Sequence, residues 1–153
     1  MLNDWCYLNE DKLIESKDYI QYAKNLIFAY AKAHWHNKWT EEEALFRIEA
    51  TLSGFNSRGY IVEVNENIIA MCIGRIDYYF NKMHQFCIDD FHVIPMYQGE
   101  GVGTQLMNYV SESLKVETIY NIFLITGGTQ ARNFYERVSF KISNEGVMMI
   151  NEL

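Results

Sequence analysis

Ile88-Asp89-Asp90-Phe91-His92-Val93-Ile94-Pro95-Met96-Tyr97-Gln98-Gly99-Glu100-Gly101-Val102-Gly103-Thr104 holds a strand, a glycine-rich turn and a helix start in one run. Its opening belongs to an expected strand from Gln85 to Val93, and its end opens an amphipathic helix expected from Gly103 to about Val116. Between them, Gln98-x-x-Gly101-x-Gly103 lets the backbone curl with its N–H groups converging, and the helix N-terminus adds about half a positive charge. Such a cradle suits a diphosphate. It is not a Walker loop, because no Gly-Lys-Ser/Thr follows. It is not a dinucleotide fingerprint either, because the strand before it ends a meander instead of opening a βαβ unit. Without a ligand, the same residues read as a tight strand-to-helix turn.

Working outward, apolar residues at Tyr19, Tyr22, Ala23, Leu26, Ile27, Tyr30 and Ala31 follow helical spacing between Asp18 and Ala33, with Ser16 or Asp18 as cap. A polar link flanked by tryptophans, His34 to Trp39, leads to Thr40-Glu41-Glu42-Glu43, a capping box that opens a helix to about Leu52. Gly59 to Val64, the turn Asn65-Glu66-Asn67 and Ile68 to Tyr79 predict a hairpin. After the glycine-rich turn come a buried strand from Ile119 to Thr126 and a short helix from about Gln130 to Val138. Two closing strands are expected around Phe140 to Ser143 and Val147 to Asn151. The order predicts an α/β (α+β) fold: a mixed, mostly antiparallel sheet of six to seven strands with about four helices on its two faces.

The chain has 153 residues, 49% of them apolar and 15% aromatic, which excludes a disordered or low-complexity protein. Pro95 is its one proline and no linker divides it, so residues 1–153 read as a single domain. No apolar run approaches the ~20 residues of a membrane span. Asp4, Glu10 and Asp11 stand where a signal peptide would need a basic and then an apolar stretch. The expectation is a soluble, cytoplasmic protein with no membrane partner. A formal net charge of −7 disfavours nucleic acid and suits a cationic ligand. Cys6, Cys72 and Cys87 are scattered with no CxxC spacing, so they read as reduced thiols rather than a disulfide framework or zinc ribbon.

Val93-x-Pro95-x-Tyr97-Gln98-Gly99-x-Gly101-Val102-Gly103-Thr104-x-Leu106-Met107 resembles motif A of the GNAT N-acetyltransferases, Gln/Arg-x-x-Gly-x-Gly/Ala. Ala131-x-x-Phe134-Tyr135-Glu136-Arg137-x-x-Phe140 resembles that family's Ala-x-x-Phe-Tyr-Glu-Lys-x-Gly-Phe helix, and the order of elements matches over nearly the whole chain. The resemblance implies acetyl-CoA as co-substrate, bound in a V-shaped gap where the strand carrying Val93 splays from the strand ending near Thr126. Its pyrophosphate would lie on the backbone of Gln98, Gly99, Glu100, Gly101, Val102, Gly103 and Thr104. The backbone of Phe91 and Val93 would hold the pantetheine arm like an added strand, a mode in which main chain alone secures a flexible ligand. Asn133 joins the cofactor contacts through Asn133-Phe134-Tyr135, which is similar to the stretch in the spermidine/spermine acetyltransferases.

Attack on a thioester needs a neutral amine, whereas an alkylammonium has a pKa near ~10.4 and arrives protonated. A carboxylate can take that proton directly or through water, and a tyrosine hydroxyl can return one to the leaving thiolate. Tyr135 matches the family's tyrosine acid. Ile88-Asp89-Asp90-Phe91-x-Val93 resembles the Leu-Glu-Asp-Phe-x-Val of the polyamine enzymes, which implies Asp89 as base or water-orienting group and Asp90 as ammonium contact. Strand alternation sends the two carboxylates to opposite faces, so they should not share one job, and a bulge could swap their roles; the alternative is that one or both are simply solvated or salt-bridged. Trp35 and Trp39 either stack on the acceptor or pack on the core. Glu63 is a reserve base. Two departures from the family pattern stand out: Gly128 replaces a common asparagine, and Ser139 replaces the glycine before Phe140.

His34 and His36 lack nearby Cys or acid ligands, so no metal is expected. Cys87 has no His/acid partner spaced to activate it, which favours direct transfer over an acyl-enzyme. The acceptor implied is a primary amine of a small, polyamine-like cation. The alternatives are an aminoglycoside, a protein amine, or a CoA-binding module without turnover. The resemblance also allows a homodimer.

Overall fold

The computed structural model describes residues 9–31 and 35–153, so Cys6 and His34 lie outside the described residues. Two residues close the central hairpin. Asn65 and Glu66 take φ of 49° and 65°, and Val64 pairs with Asn67 across them. A two-residue turn with both φ positive has the twist that antiparallel strands need, and asparagine tolerates that conformation better than most side chains. The hairpin joins β2 (Ser57–Val64) to β3 (Asn67–Asp77). On the far side of β3 lies β4 (Gln85–Val93), also antiparallel, and on the far side of β2 lies the edge strand β1 (Asn9–Leu13). The fifth strand, β5 (Asn121–Phe123), runs parallel to β4, giving the order β1-β2-β3-β4-β5.

Among the described residues, four α-helices cover the sheet. Helices α1 (Tyr19–Tyr30) and α2 (Glu41–Leu52) bury Tyr22, Leu26, Ala44 and Ile48 against Ile61, Met71 and Ile73. The start of α2 is the capping box its sequence predicts: the Glu43 N–H donates to Thr40 Oγ1 at 3.2 Å, and the Thr40 N–H donates to Glu43 Oε2 at 2.9 Å. On the other face, α3 (Val102–Val116) and α4 (Thr129–Arg137) pack on Tyr60, Cys72, Phe86 and Ile88. Helix α3 buries Val102, Leu106, Met107, Val110 and Leu114, one stripe at helical spacing.

Two irregularities decide where chemistry can occur. The β3–β4 register shifts between Ile73 and Gly74, so Ile73 faces Asp90 while Gly74 faces Ile88, and Asp89 is the extra residue. This bulge resets the alternation. Phe86 and Ile88 before it, and Phe91 and Val93 after it, all join the α3 side, while Asp90 and His92 turn toward α1. The second irregularity is at β5, which pairs with β4 only from Gln85↔Asn121 to Cys87↔Phe123. Beyond Cys87, β4 runs on without a neighbour on that side.

The sheet therefore has five strands among the described residues, where six to seven were expected. The strand expected over 119–126 is three residues long, because β5 pairs with β4 over three residue pairs only. The two closing segments, 140–143 and 147–151, form no strand, and Ile142, Val147, Met149 and Ile150 lie exposed. Alternating apolar residues make a strand only where an edge pairs with them. Conversely, β1 is Asn-Glu-Asp-Lys-Leu, a charged edge strand without an apolar signature.

Gly74 is the residue beside the bulge that has least room. A Cβ there would lie 2.1 Å from the Cys87 carbonyl oxygen and 2.8 Å from Phe86 Cζ. Gly74→Ala should cost about 1–3 kcal/mol, as overpacking against backbone does. Urea unfolding would then show a lower midpoint with an unchanged slope; a wild-type midpoint would contradict the packing described.

Candidate active site

The divergence of β4 from β5 opens a cleft of about 850 Å³. One wall is β4 from Ile88 to Val93, and the other is Leu124 to Gly127 with Ala131, Phe134 and Tyr135 of α4. The glycine-rich turn closes one end, and Tyr30, Trp35, Trp39 and Arg47 gather at the other. Ile94 donates its N–H to Ile69 of β3 at 2.9 Å, so by alternation the backbones of Val93 and Phe91 face the gap.

At the turn, Gly99 and Gly101 have φ of +81° and +84°, a conformation in which a side chain is strained, and a Cβ on either would meet no atom within 4 Å. The first intrahelical bond of α3 runs from Gln105 N–H to Gly101 O at 3.0 Å. The N–H groups of Val102, Gly103 and Thr104 therefore precede it without helical acceptors. Gly103 holds the turn against the cleft wall, since a Cβ there would touch Phe134 at 3.1 Å and Val93 at 3.5 Å. Gln98 donates its Nε2 to the Val93 carbonyl at 2.9 Å, tying the cradle to the end of β4. Gln98, Gly99, Gly101, Gly103 and Thr104 line the cleft. Glu100 and Asn133 are exposed and do not line it, and Val102 buries its side chain in the core, leaving only its backbone for a ligand.

The two aspartates have different surroundings. Asp89, the bulge residue, accepts a bond from Arg75 Nη1 at 2.6 Å, and its own carbonyl accepts from Arg47 Nη2 at 2.9 Å. The Asp90 side chain is 1% exposed. Its Oδ1 accepts from Tyr30 Oη at 2.5 Å and lies 3.4 Å from His92 Nδ1, while Oδ2 has no partner. Burial alone would raise the Asp90 carboxyl. His92, the Tyr30 hydroxyl and the Arg47 charge outweigh it and hold the group below the usual carboxylate range. His92 is wedged edge-on between Tyr22 and Tyr30, with centroids at 5.5 Å and 5.7 Å.

Tyr135 is buried against Phe91, Phe134 and Phe140 and lines the cleft. Burial above all, with Cys72 and the Asp90 carboxylate nearby, pushes its phenol well above the ordinary tyrosine value, so it is protonated at neutral pH. Cys87 also has its thiol raised, by burial and then by Asp89, which makes it a poor nucleophile. Trp35 is 46% exposed and stands edge-on to Tyr30 at 5.9 Å, with Cη2 3.7 Å from a Cβ position at Gly127 on the opposite wall. Trp39 packs on the α1/α2 core and also lines the cleft. Glu63 lies on β2 opposite Glu10 and does not line the cleft. Among the described residues, no three His, Cys, Asp or Glu side chains gather to hold a metal, and no helix is long and apolar enough to cross a membrane.

Tyr30, Arg47 and Arg75 carry no sequence signal of their place at this site. Tyr30 fits the apolar stripe of α1 and so reads as core, and an arginine on the polar face of α2 carries no local signal.

The family model described as Acetyltransferase (GNAT) family matches residues 20–140. No curated protein matches significantly. Among solved structures, a possible acetyltransferase from Clostridium difficile 630 superposes with a TM-score of 0.82 at 16% identity, covering 95% of this chain and 99% of that one. An aminoglycoside acetyltransferase from an uncultured soil metagenomic sample, in complex with sisomicin, gives 0.77 at 13% identity, covering 98% and 99%. A ribosomal-protein-alanine N-acetyltransferase from Brucella melitensis biovar Abortus 2308 gives 0.75 at 15% identity, covering 94% and 99%.

The depressed Asp90 carboxyl makes stability pH-dependent. Its folded value lies below the ~3.9 of an unfolded chain, so its contribution is complete above that value and drains away as pH falls through the folded one. Melting temperature followed from pH 6 downward should fall less steeply below about pH 4 in Asp90→Asn than in wild type. Tyr30→Phe, which removes one lowering bond, should bring the folded value closer to the unfolded one and so shrink the acid loss. Parallel acid limbs in all three proteins would show that Asp90 is not held as described.

Proposed function

The chain belongs to the GNAT acetyltransferase family, and on that premise we propose that it moves an acetyl group from acetyl-CoA directly to the primary amine of a small acceptor held over Asp90. It is an acyltransferase and acetyl-CoA is its co-substrate. What carries the proposal is the presence in one cleft of an open glycine cradle, a buried carboxylate with an unused oxygen, and a buried protonated tyrosine.

The N–H groups from Gln98 to Thr104 receive the pyrophosphate at the N-terminus of α3. Phe91 and Val93 offer their backbones to the pantetheine arm. A carboxylate held below its usual pKa is a good counter-ion and a weak base, so Asp90 anchors and orients the acceptor ammonium. The proton leaves through water at the rim, where the Asp89 carboxylate, paired with Arg75, orients it. The neutral amine nitrogen bonds to the acetyl carbon, the carbon–sulfur bond breaks, and Tyr135 donates its O–H to the departing sulfur. Tyr30, Trp35 and Trp39 wall the acceptor end. Polyamines, aminoglycosides and protein amines compete for that end.

Acetyl-CoA at a hundred times its Kd should stabilise the protein by about 2.7 kcal/mol, a rise of several degrees in melting temperature. Tyr135→Phe should keep that rise and lower kcat by about 10²-fold or more. A variant with undiminished kcat would remove Tyr135 from the chemistry, and no thermal shift at millimolar acetyl-CoA would remove the cleft from cofactor binding.

A further inference from the structure

We propose that the acceptor carries a carboxylate beside its amine, and that Arg47 binds it. The inference rests on the acetyl-transfer reading above and narrows its substrate class. Arg47 is half-buried at the acceptor end of the cleft. One of its donors is committed to the Asp89 carbonyl, and its guanidinium carbon lies 6.0 Å from the centre of the Trp39 ring. Those two contacts fix the orientation of the fork without neutralising it. Every ion pair among the described residues is made by other cations, so no carboxylate answers Arg47. Arg58, Arg75 and Arg132 each have one.

Arg47 and Asp90 act on the same space. Both line the same cleft with Tyr30, and the Arg47 charge adds to His92 and the Tyr30 hydroxyl in holding the Asp90 carboxyl low. The remaining charge at this end is balanced, because Asp89 is paired with Arg75. What is left at this end is one buried carboxylate oxygen without a partner and one guanidinium that no carboxylate meets, a dipolar site inside a chain whose net charge is −7. A polycation would bring several ammonium groups to a place with one carboxylate to receive them and a fixed cation to repel them. A zwitterion answers both groups at once. Guanidinium geometry favours a planar carboxylate bound through two parallel N–H bonds, and an unpaired charge partly removed from water is costly until such a partner arrives.

The test is kinetic, on acceptors that differ only in the carboxylate: lysine against 1,5-diaminopentane, and phenylalanine against phenethylamine. Spermidine serves as the polycation and O-phosphorylethanolamine as the phosphate-bearing amine. At least one carboxylate-bearing member should exceed its partner about tenfold or more in kcat/KM, as expected for a charge-assisted pair. Arg47→Gln should shrink that ratio to within about threefold, mainly through KM, and Arg47→Lys should retain part of it, since a point charge replaces a fork. The thermal shift with acetyl-CoA reports that each variant is folded. Equal rates within the pairs, a preference for spermidine or for the phosphate-bearing amine, or a carboxylate preference that survives Arg47→Gln would overturn the proposal. So would a protein that acetyl-CoA stabilises but that acetylates none of these compounds. A protein that acetyl-CoA does not stabilise would instead overturn the reading beneath it.

Discussion

The parallel pairing of β4 with β5 stops after Cys87↔Phe123, and the cleft is the consequence. A strand that loses its neighbour presents unpaired N–H and C=O groups, which proteins usually cover or pair. Here the exposed stretch of β4 is left facing a gap, and three neighbours shape it. The glycine turn at the start of α3 closes one end, α4 supplies the aromatic wall, and α1 and α2 supply Tyr30 and Arg47 at the other end. Gly103 packed on Phe134 and Val93 locks the turn to both walls. The gap is framed by β4, α3 and α4, with the loop from Leu124 to Gly127 along one wall.

The bulge at Asp89 gives that gap its chemistry. Without it, Phe86, Ile88, Asp90 and His92 would share one face, and a carboxylate would be driven into the apolar layer under α3. With it, Phe91 and Val93 return to that layer, while Asp90 faces Tyr30 and His92. The extra residue, Asp89, turns to Arg75 and is neutralised there. One insertion thus separates two adjacent carboxylates into a paired one at the rim and a buried one with an unused oxygen. Local charge then differs from global charge: the chain is acidic overall, yet its acceptor end holds a carboxylate with one oxygen unpartnered and a guanidinium that no carboxylate meets.

Much of this was legible in the sequence where a residue's local preference and its tertiary role agree. Glycines that need positive φ, the Thr40 to Glu43 capping box and the apolar stripe of α3 announce themselves, and each forms as read. Legibility fails where the deciding partner is distant. β1 is a strand because β2 pairs with it, in spite of its charged residues, and residues 147–151 alternate like a strand but find no edge. A bulge between two aspartates has no composition signal, because it is set by register against β3. Arg47 looks like any solvated residue of a helix until α2 is laid over the end of the cleft.

Amide hydrogen exchange with and without saturating acetyl-CoA tests the central claim most directly, since that claim concerns which backbone N–H groups meet the ligand. Slowed exchange should be concentrated at Gln98 to Thr104 and at Phe91 and Val93, with β1 and β2 unchanged. Protection spread elsewhere, or none in the turn at ligand concentrations that raise the melting temperature, would contradict a cofactor held in the gap between β4 and β5.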